Sequence, residues 1–169
     1  MIREAKIEDL PHILTIYNDA IVHTTAVYTY EPETLAMREQ WFNQKVRDGY
    51  QVIVYERNQT VVGFATFGPF RNWPAYKYSI EHSLYTDPRY RKEGIASSLL
   101  NELILLANQR EYKTIIAGID ASNVPSIALH QKFGFTYAGT IKNAGYKFER
   151  WLDLSFYQLE LEGPPIGRA

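Results

Sequence analysis

The 169 residues include no cysteine, so the chain has no disulfide, no thiolate nucleophile and no thiolate metal ligand. An excess of one charge sign is missing too. Eighteen Lys and Arg face 19 Asp and Glu, which leaves no general attraction for nucleic acid or anionic lipid. No apolar run approaches the length that spans a bilayer, and the opening MIREAKIEDL lacks the pattern of a signal peptide. The four histidines, His12, His23, His82 and His130, show no HxxxH-type ligand spacing. These absences lead us to expect a cytoplasmic protein that needs no metal and binds neither nucleic acid nor membrane. Apolar and aromatic residues are plentiful, at 46% and 14%. That content fits one folded domain over residues 1–162, with a loose tail over 163–169.

Along the chain, Ile2 to Ala5 reads as a short strand. Asp9 is expected to cap a first helix with Pro11 near its start, and Glu31-Pro32-Glu33 to open a second that stops at Asp48-Gly49. QVIVYE and TVVGFATFG then form a hairpin about Arg57-Asn58-Gln59. A loop, FRNWPAYKY, leads into the strand IEHSLYT. A long apolar-periodic helix runs from about Gly94 to Arg110, and TIIAGID is a short apolar strand of the kind buried on both faces. ASNVPSIALHQKFGF gives a short helix opened by Asn123 and Pro125. Two final strands are expected to turn about Asn143-Ala144-Gly145. The order βααβββαβαββ implies a mixed sheet flanked by helices, with one right-handed crossover between strands four and five.

The richest segment is RKEGIA, where a short basic turn containing glycine enters the long helix. The first N-H groups of a helix have no upstream carbonyls and sit at the positive end of its dipole, so they attract an anion. Gly94 and Ala96 let a bulky diphosphate approach the main chain, and Gly94 tolerates a positive φ. Arg91 and Lys92 supply charge, whereas Glu93 is expected to weaken the site slightly. By itself the hexapeptide equally suits an ordinary solvated turn.

Three ordered motifs carry a resemblance. RKEGIA matches the [QR]-x-x-G-x-[GA] loop of the GNAT superfamily of N-acetyltransferases. ASNVPSIALHQKFGF matches the helix after that family's fifth strand. IEHSLY and GYKFERWLD resemble the phosphinothricin and methionine sulfoximine acetyltransferase branch. The resemblance spans essentially the whole chain and implies an α/β GNAT fold, a mixed, mostly antiparallel sheet splayed between strands four and five. It further implies acetyl-CoA as co-substrate. Main-chain groups of Leu84, Tyr85 and Thr86 would pair with its pantetheine arm as an added strand pairs with an edge. The loop Arg91, Lys92, Glu93, Gly94, Ile95, Ala96 and Ser97 would hold its pyrophosphate. Asn123 would sit beside the arm, or serve as a plain helix cap, or both.

The chemistry implied is direct attack of a neutral primary amine on the thioester carbonyl, with no covalent enzyme intermediate. Glu81 is the candidate base, acting through water, or else an anchor for the substrate ammonium. A free Glu titrates at about 4.3 and an alkyl ammonium at about 10, so burial would have to raise Glu81 or water relay the proton. His130 stands where most of the superfamily carries the tyrosine that protonates the leaving thiolate, and an imidazole suits that task near neutrality. For the acceptor, Arg71, Asn72, Trp73 and Tyr78 lie next to the proposed base, and a guanidinium beside aromatics suits a small amino-acid-like amine. Tyr17, Asn18, Thr24 and Tyr28 offer a further wall, and Lys147 and Arg150 further positive charge. Trp151 reads as packing, in a family that is typically homodimeric. Two classes stay open. One is an N-acetyltransferase of a small amino-acid analogue, with polyamines, aminoglycosides or protein N-termini as other acceptors; the other is a non-catalytic acyl-CoA-binding module.

Overall fold

The computed structural model describes residues 1–167. Its contacts divide into two compact units, Met1–Phe67 with Ser83–Glu102, and Gly68–His82 with the chain from Leu103 onward. Among the described residues, hydrogen bonds link seven strands in the order β1-β2-β3-β4-β5-β7-β6.

In the first unit, β1 (Ile2–Glu4) pairs antiparallel with β2 (Val52–Arg57), and β2 with β3 (Thr60–Pro69). Asn58 and Gln59 both adopt positive φ, the backbone of a tight hairpin turn whose twist matches its strands. Helix α1 (Leu10–His23) buries Leu10, Ile13, Ile16, Ala20 and Ile21, the three-and-four spacing of one helical face. Leu10, Ile13 and Ile16 pack with Val52, Val54, Val61 and Phe64 of the sheet. The Asp9 side chain does not cap α1 as expected. Its carboxylate instead accepts from the Lys6 N-H at 2.7 Å and from Arg3 at 2.8 and 2.9 Å, because Ile7–Asp9 forms a 3-10 turn ahead of the helix. Helix α2 (Leu35–Asp48) also starts later than expected. Its cap is Thr34, which accepts from the Met37 N-H, while the Asn18 side chain pins the main chain of Glu33 in the preceding loop at 3.0 and 2.8 Å. Gly49 ends the helix at φ 77°, as expected.

In the second unit, β4 (Ser79–Thr86) begins parallel to β5 (Thr114–Asp120), with the register Ser79↔Thr114, Ile80↔Ile115 and Glu81↔Ile116. The ladder stops there, although both strands continue. β5 pairs along its length with β7 (Arg150–Glu160). Ile115, Ala117 and Ile119 are buried, but Gly118 on the other face is exposed, so β5 is not buried on both faces. Helix α4 (Val124–Lys132) follows β5, then β6 (Thr136–Lys147), which pairs with β7. The β6–β7 turn falls at Phe148 and Glu149, both at positive φ, not at Asn143-Ala144-Gly145. That segment is a register shift inside the hairpin, where the Asn143 N-H donates to Asp153 at 2.8 Å. Helix α3 (Ile95–Gln109) contributes to both units. Residues 168 and 169 of the expected tail lie outside the described residues.

Candidate active site

The loop ahead of α3 lies in the first unit. Asp87 accepts from the Arg89 N-H at 2.9 Å and shapes a 3-10 turn, Pro88–Tyr90. Lys92 then adopts φ 63° and Gly94 φ 80°. Left-handed residues in a tight turn aim main-chain N-H groups into an anion-binding concavity. The first bond of α3 runs from the Ser98 N-H to the Gly94 carbonyl, so the N-H groups of Ile95, Ala96 and Ser97 have no helical acceptor. The start of α3 approaches β3 closely at Gly63, where a Cβ would stand 3.0 Å from both Ile95 and Leu99. Glu93 has a partner that the sequence did not show. Arg57 on β2 binds it at 2.7 Å, which offsets its charge and ties the loop to the hairpin. On β4, Leu84, Tyr85 and Thr86 are half-buried; the Asp87 N-H donates to Val62 at 2.8 Å, and the Tyr85 ring packs on Phe64 with centroids 5.2 Å apart.

The second unit holds the proposed catalytic groups. Glu81 is half-buried, and burial raises its carboxyl above the ordinary value while Arg71 pulls the other way. The carboxylate extends over Gly118, where a Cβ would come within 3.1 Å of Oε2. Arg71 is thus an electrostatic neighbour of Glu81, as expected. Asn72 and Trp73 are exposed beside a 3-10 turn, Pro74–Tyr76, and the Tyr78 carbonyl accepts from the Lys113 N-H. Asn123 caps α4, accepting from the Ser126 N-H at 3.2 Å. Lys147 is buried rather than offered to solvent, and Arg150 lies 3.7 Å from Asp120.

His130 is buried, and both its ring nitrogens are engaged. Nδ1 lies 2.7 Å from the Ser126 carbonyl, which can only accept, so Nδ1 carries the proton. Nε2 of the neutral ring is then an acceptor, and it lies 3.0 Å from Nε2 of His82, which must donate. The remaining contact, His82 Nδ1 to the Ile116 carbonyl, is 3.5 Å. Two neutral imidazoles carry two protons for three contacts, and the longest is the one left unmade. The Ser126 carbonyl thereby fixes the tautomer of His130, and His130 in turn fixes that of His82. Burial lowers the proton affinity of both rings; for His82 the neighbouring His130 lowers it further, against the Ile116 carbonyl, and for His130 the Ser126 carbonyl opposes the shift. The unfolded chain therefore takes up protons that the native pair refuses once pH falls below the ordinary value of 6.5. Stability is fully present above that pH. Below it, stability should decline by up to about 1.4 kcal/mol per pH unit for each ring. Denaturant unfolding at about pH 7 and about pH 5 should show this decline, and His82→Gln should make it shallower; equal slopes would contradict it.

A cavity of about 280 Å³ opens within the first unit. Arg38, Trp41 and Lys45 line it from α2, Tyr17 from α1, and Thr66 and Ser83 from β3 and β4. Arg38 is buried and sandwiched between the Tyr17 and Trp41 rings, 4.0 and 4.1 Å from their centroids. Its Nη2 stands 3.0 Å from Glu33 Oε2. Yet that oxygen and Arg38 Nε are both buried without a hydrogen-bond partner, a state that costs about 1–3 kcal/mol per group. Lys45 Nζ donates to the Phe67 carbonyl at 2.9 Å, and burial lowers its ammonium to about 8, with Asp48 opposing and Arg38 assisting. The sequence reading found Tyr17 but missed Arg38, Trp41, Lys45 and Ser83. The available signal was their spacing: Arg38, Trp41 and Lys45 fall at i, i+3 and i+7 on one helix face.

Among the described residues, no group of three or more His, Asp and Glu side chains could hold a metal ion, and no helix is long and apolar enough to cross a membrane.

The model of a family described as the acetyltransferase (GNAT) family matches residues 13–135. The chain is 40% identical over 162 residues to an L-methionine sulfoximine/L-methionine sulfone acetyltransferase of Pseudomonas aeruginosa, covering 95% of this chain and 94% of that protein. Among solved structures it is similar to an N-acetyltransferase of Staphylococcus aureus, with a TM-score of 0.94 and 59% identity, covering 95% of this chain and 97% of that one. It is also similar to a phosphinothricin acetyltransferase of Sinorhizobium meliloti in complex with acetyl-CoA. There the TM-score is 0.92 and the identity 34%, over 95% of this chain and 88% of that one.

Proposed function

Because the chain belongs to the acetyltransferase (GNAT) family, we propose that it transfers the acetyl group of acetyl-CoA to the primary amine of a small amino-acid-like acceptor of the methionine sulfoximine, methionine sulfone or phosphinothricin kind. The observation that carries this reading is the raised, half-buried carboxyl of Glu81 beside Arg71. An α-amino acid carries its amine and its carboxylate on one carbon, and a carboxylate base next to a guanidinium suits that pair. The names of the relatives support the substrate class.

In this reading the left-handed loop Arg91–Gly94 and the N-H groups of Ile95, Ala96 and Ser97 hold the pyrophosphate. Main-chain groups of Leu84, Tyr85 and Thr86 pair with the pantetheine arm, and Asn123 lies beside that arm while capping α4. Asn72, Trp73 and Tyr78 complete the acceptor side with Arg71. The acceptor reaches the enzyme as an ammonium and gives one proton to Glu81, through water. The neutral amine attacks the thioester carbonyl, the C–N bond forms, and the C–S bond breaks. The departing thiolate takes a proton, for which His130 is the assigned donor. Neutral His130 has its one proton on Nδ1, held by the Ser126 carbonyl, and its Nε2 accepts from His82, so the pair first takes up the second proton that the attacking nitrogen sheds, through water, and then passes one to the thiolate. The sum is amide, free thiol and one proton released.

The reading includes a homodimer in the cytoplasm. Exposed apolar side chains on the β6–β7 hairpin support the dimer: Tyr137, Ile141, Phe148 and Trp151 are all more than half exposed.

The test is thiol release from acetyl-CoA, read with a thiol-reactive dye against a protein that has no cysteine of its own. Turnover is expected with methionine sulfone, methionine sulfoximine and phosphinothricin, and not with spermidine or an aminoglycoside. Turnover confined to short peptides would redirect the reading to protein N-termini. Coenzyme binding without turnover on any acceptor would favour the acyl-CoA-binding module.

A further inference from the structure

We propose that the first-unit cavity seats the oxygen-bearing end of the acceptor's side chain, with Lys45 as the cation that selects it. The proposal deepens the function stated above and rests on it for the identity of the acceptor as an amino acid. Its ground is the pattern of donors left in the cavity. Arg38 Nε is buried without a partner, while its guanidinium is immobilised between two rings and beside Glu33. A ligand atom that only accepts hydrogen bonds would satisfy it, and a ligand donor would not. Lys45 adds up to three donors, one of which is spent on the Phe67 carbonyl. With Arg38 and Lys45 positive and Glu33 negative, the lining carries a net charge of +1 (two cations less one anion). This disfavours the cationic arm of a polyamine and favours an anionic or strongly dipolar oxygen centre.

The walls fit the rest of such a side chain. Tyr17, Trp41 and Phe64 are aromatic and suit the methylenes that lead to the polar head. Ser83 and Tyr85 reach the cavity from β4. A tetrahedral sulfone, sulfoximine or phosphinate centre presents two or more acceptor atoms, which suits a lining that holds both Arg38 and Lys45. An unbranched hydrocarbon end would leave Arg38 Nε without an acceptor and the remaining Lys45 donors unused.

Titration of Lys45 offers a readout that packing alone would not produce. The charged groups near it are Asp48 and Arg38 on α2 and Glu33 in the preceding loop; the phenols of Tyr17 and Tyr85 share the cavity, and the Tyr50 ring lies 5.5 Å away. With its ammonium lowered to about 8, Lys45 loses its charge as pH rises through that value. The preference for an oxygen-bearing side chain should fall with it.

The experiment is calorimetric titration of the coenzyme A-saturated protein with L-methionine sulfone and with L-norleucine, which has a hydrocarbon end of similar length. Wild type should bind the sulfone at least about tenfold more tightly, and that preference should shrink above about pH 8. Lys45→Met should abolish the preference while coenzyme A affinity is kept, and Lys45→Arg should retain most of it. Equal affinity for the two ligands in wild type, a preference that does not change with pH, or an intact preference in Lys45→Met would each overturn the proposal. The wild-type pH series decides the matter if the variant fails to fold. Because binding is read without turnover, an absence of acetyl transfer would count against the function and not against the cavity's ligand.

Discussion

Replacing Gly94 with valine is expected to raise the Michaelis constant for acetyl-CoA more than about tenfold, through two effects that add. The first is in the backbone. Gly94 sits at φ 80°, a region that costs an L-residue roughly 1–2 kcal/mol, and more for a β-branched one. Each 1.4 kcal/mol, on the order of one such strain term, is a factor of about ten in binding if the loop relaxes away from its coenzyme-holding shape. The second is in space. A Cβ built on Gly94 meets no protein atom within 4 Å, so the valine would not clash with the fold and would stand where a diphosphate must approach the N-H groups of Ile95, Ala96 and Ser97. The turnover number at saturating acetyl-CoA should be largely retained. Gly94→Ala separates the two effects, since it keeps the strain and removes most of the bulk. An unchanged Michaelis constant in the valine variant would remove this loop from the coenzyme site.

That loop was legible in the sequence because its requirement is a backbone one, and a left-handed position before a helix is written as glycine. Gly49 at the end of α2 and Asn123 at the start of α4 were legible on the same ground, since each is a residue type that one cap geometry favours. The misplaced boundaries show the converse. Glu31-Pro32-Glu33 has the composition of a helix start, but the hydroxyl that accepts the Met37 N-H belongs to Thr34. Asn143-Ala144-Gly145 has the composition of a turn, while the turn itself uses Phe148 and Glu149, residue types that rarely adopt positive φ. There the pairing of β6 with β7 decided the register against local preference.

The site divides along the same line. Glu81 and His130 were proposed through motifs, and Arg71 from its place in the loop next to Glu81. His82 was not, because its role comes from His130, 48 residues away, and only tertiary structure joins them. Arg38 and Lys45 were not singled out, since charged side chains on a helix are mostly solvated. In place, one is buried between two rings and the other is desolvated, because the aromatic side chains of α1 and β3 close over the helix. The partner of the loop charge was hidden for a related reason: Glu93 pairs with Arg57 from a neighbouring hairpin, a pairing that no local pattern records.

Glu81→Gln is the second variant with a large expected effect. As a general base Glu81 contributes roughly 10²–10⁴-fold, so the turnover number should fall by about two orders of magnitude or more while the Michaelis constant for acetyl-CoA stays near wild type. The amide preserves shape and still fits over Gly118, where the carboxylate lies 3.1 Å from the position of an added Cβ, so the loss would not come from repacking. The pH profile adds an independent sign. A base works only when deprotonated, so the rate should fall as pH drops through the pKa of Glu81. Burial raises that pKa above the ordinary 4.5, against the pull of Arg71, and the acid limb should therefore lie above the usual carboxylate range and disappear in the variant. If Glu81 instead only anchors the acceptor ammonium, the variant would raise the acceptor's Michaelis constant and leave the turnover number at saturation intact, with the acid limb moving into the acceptor's binding. Measuring both constants for methionine sulfone across pH separates the two roles, because proton transfer acts on the transition state and anchoring acts equally on the bound ground state.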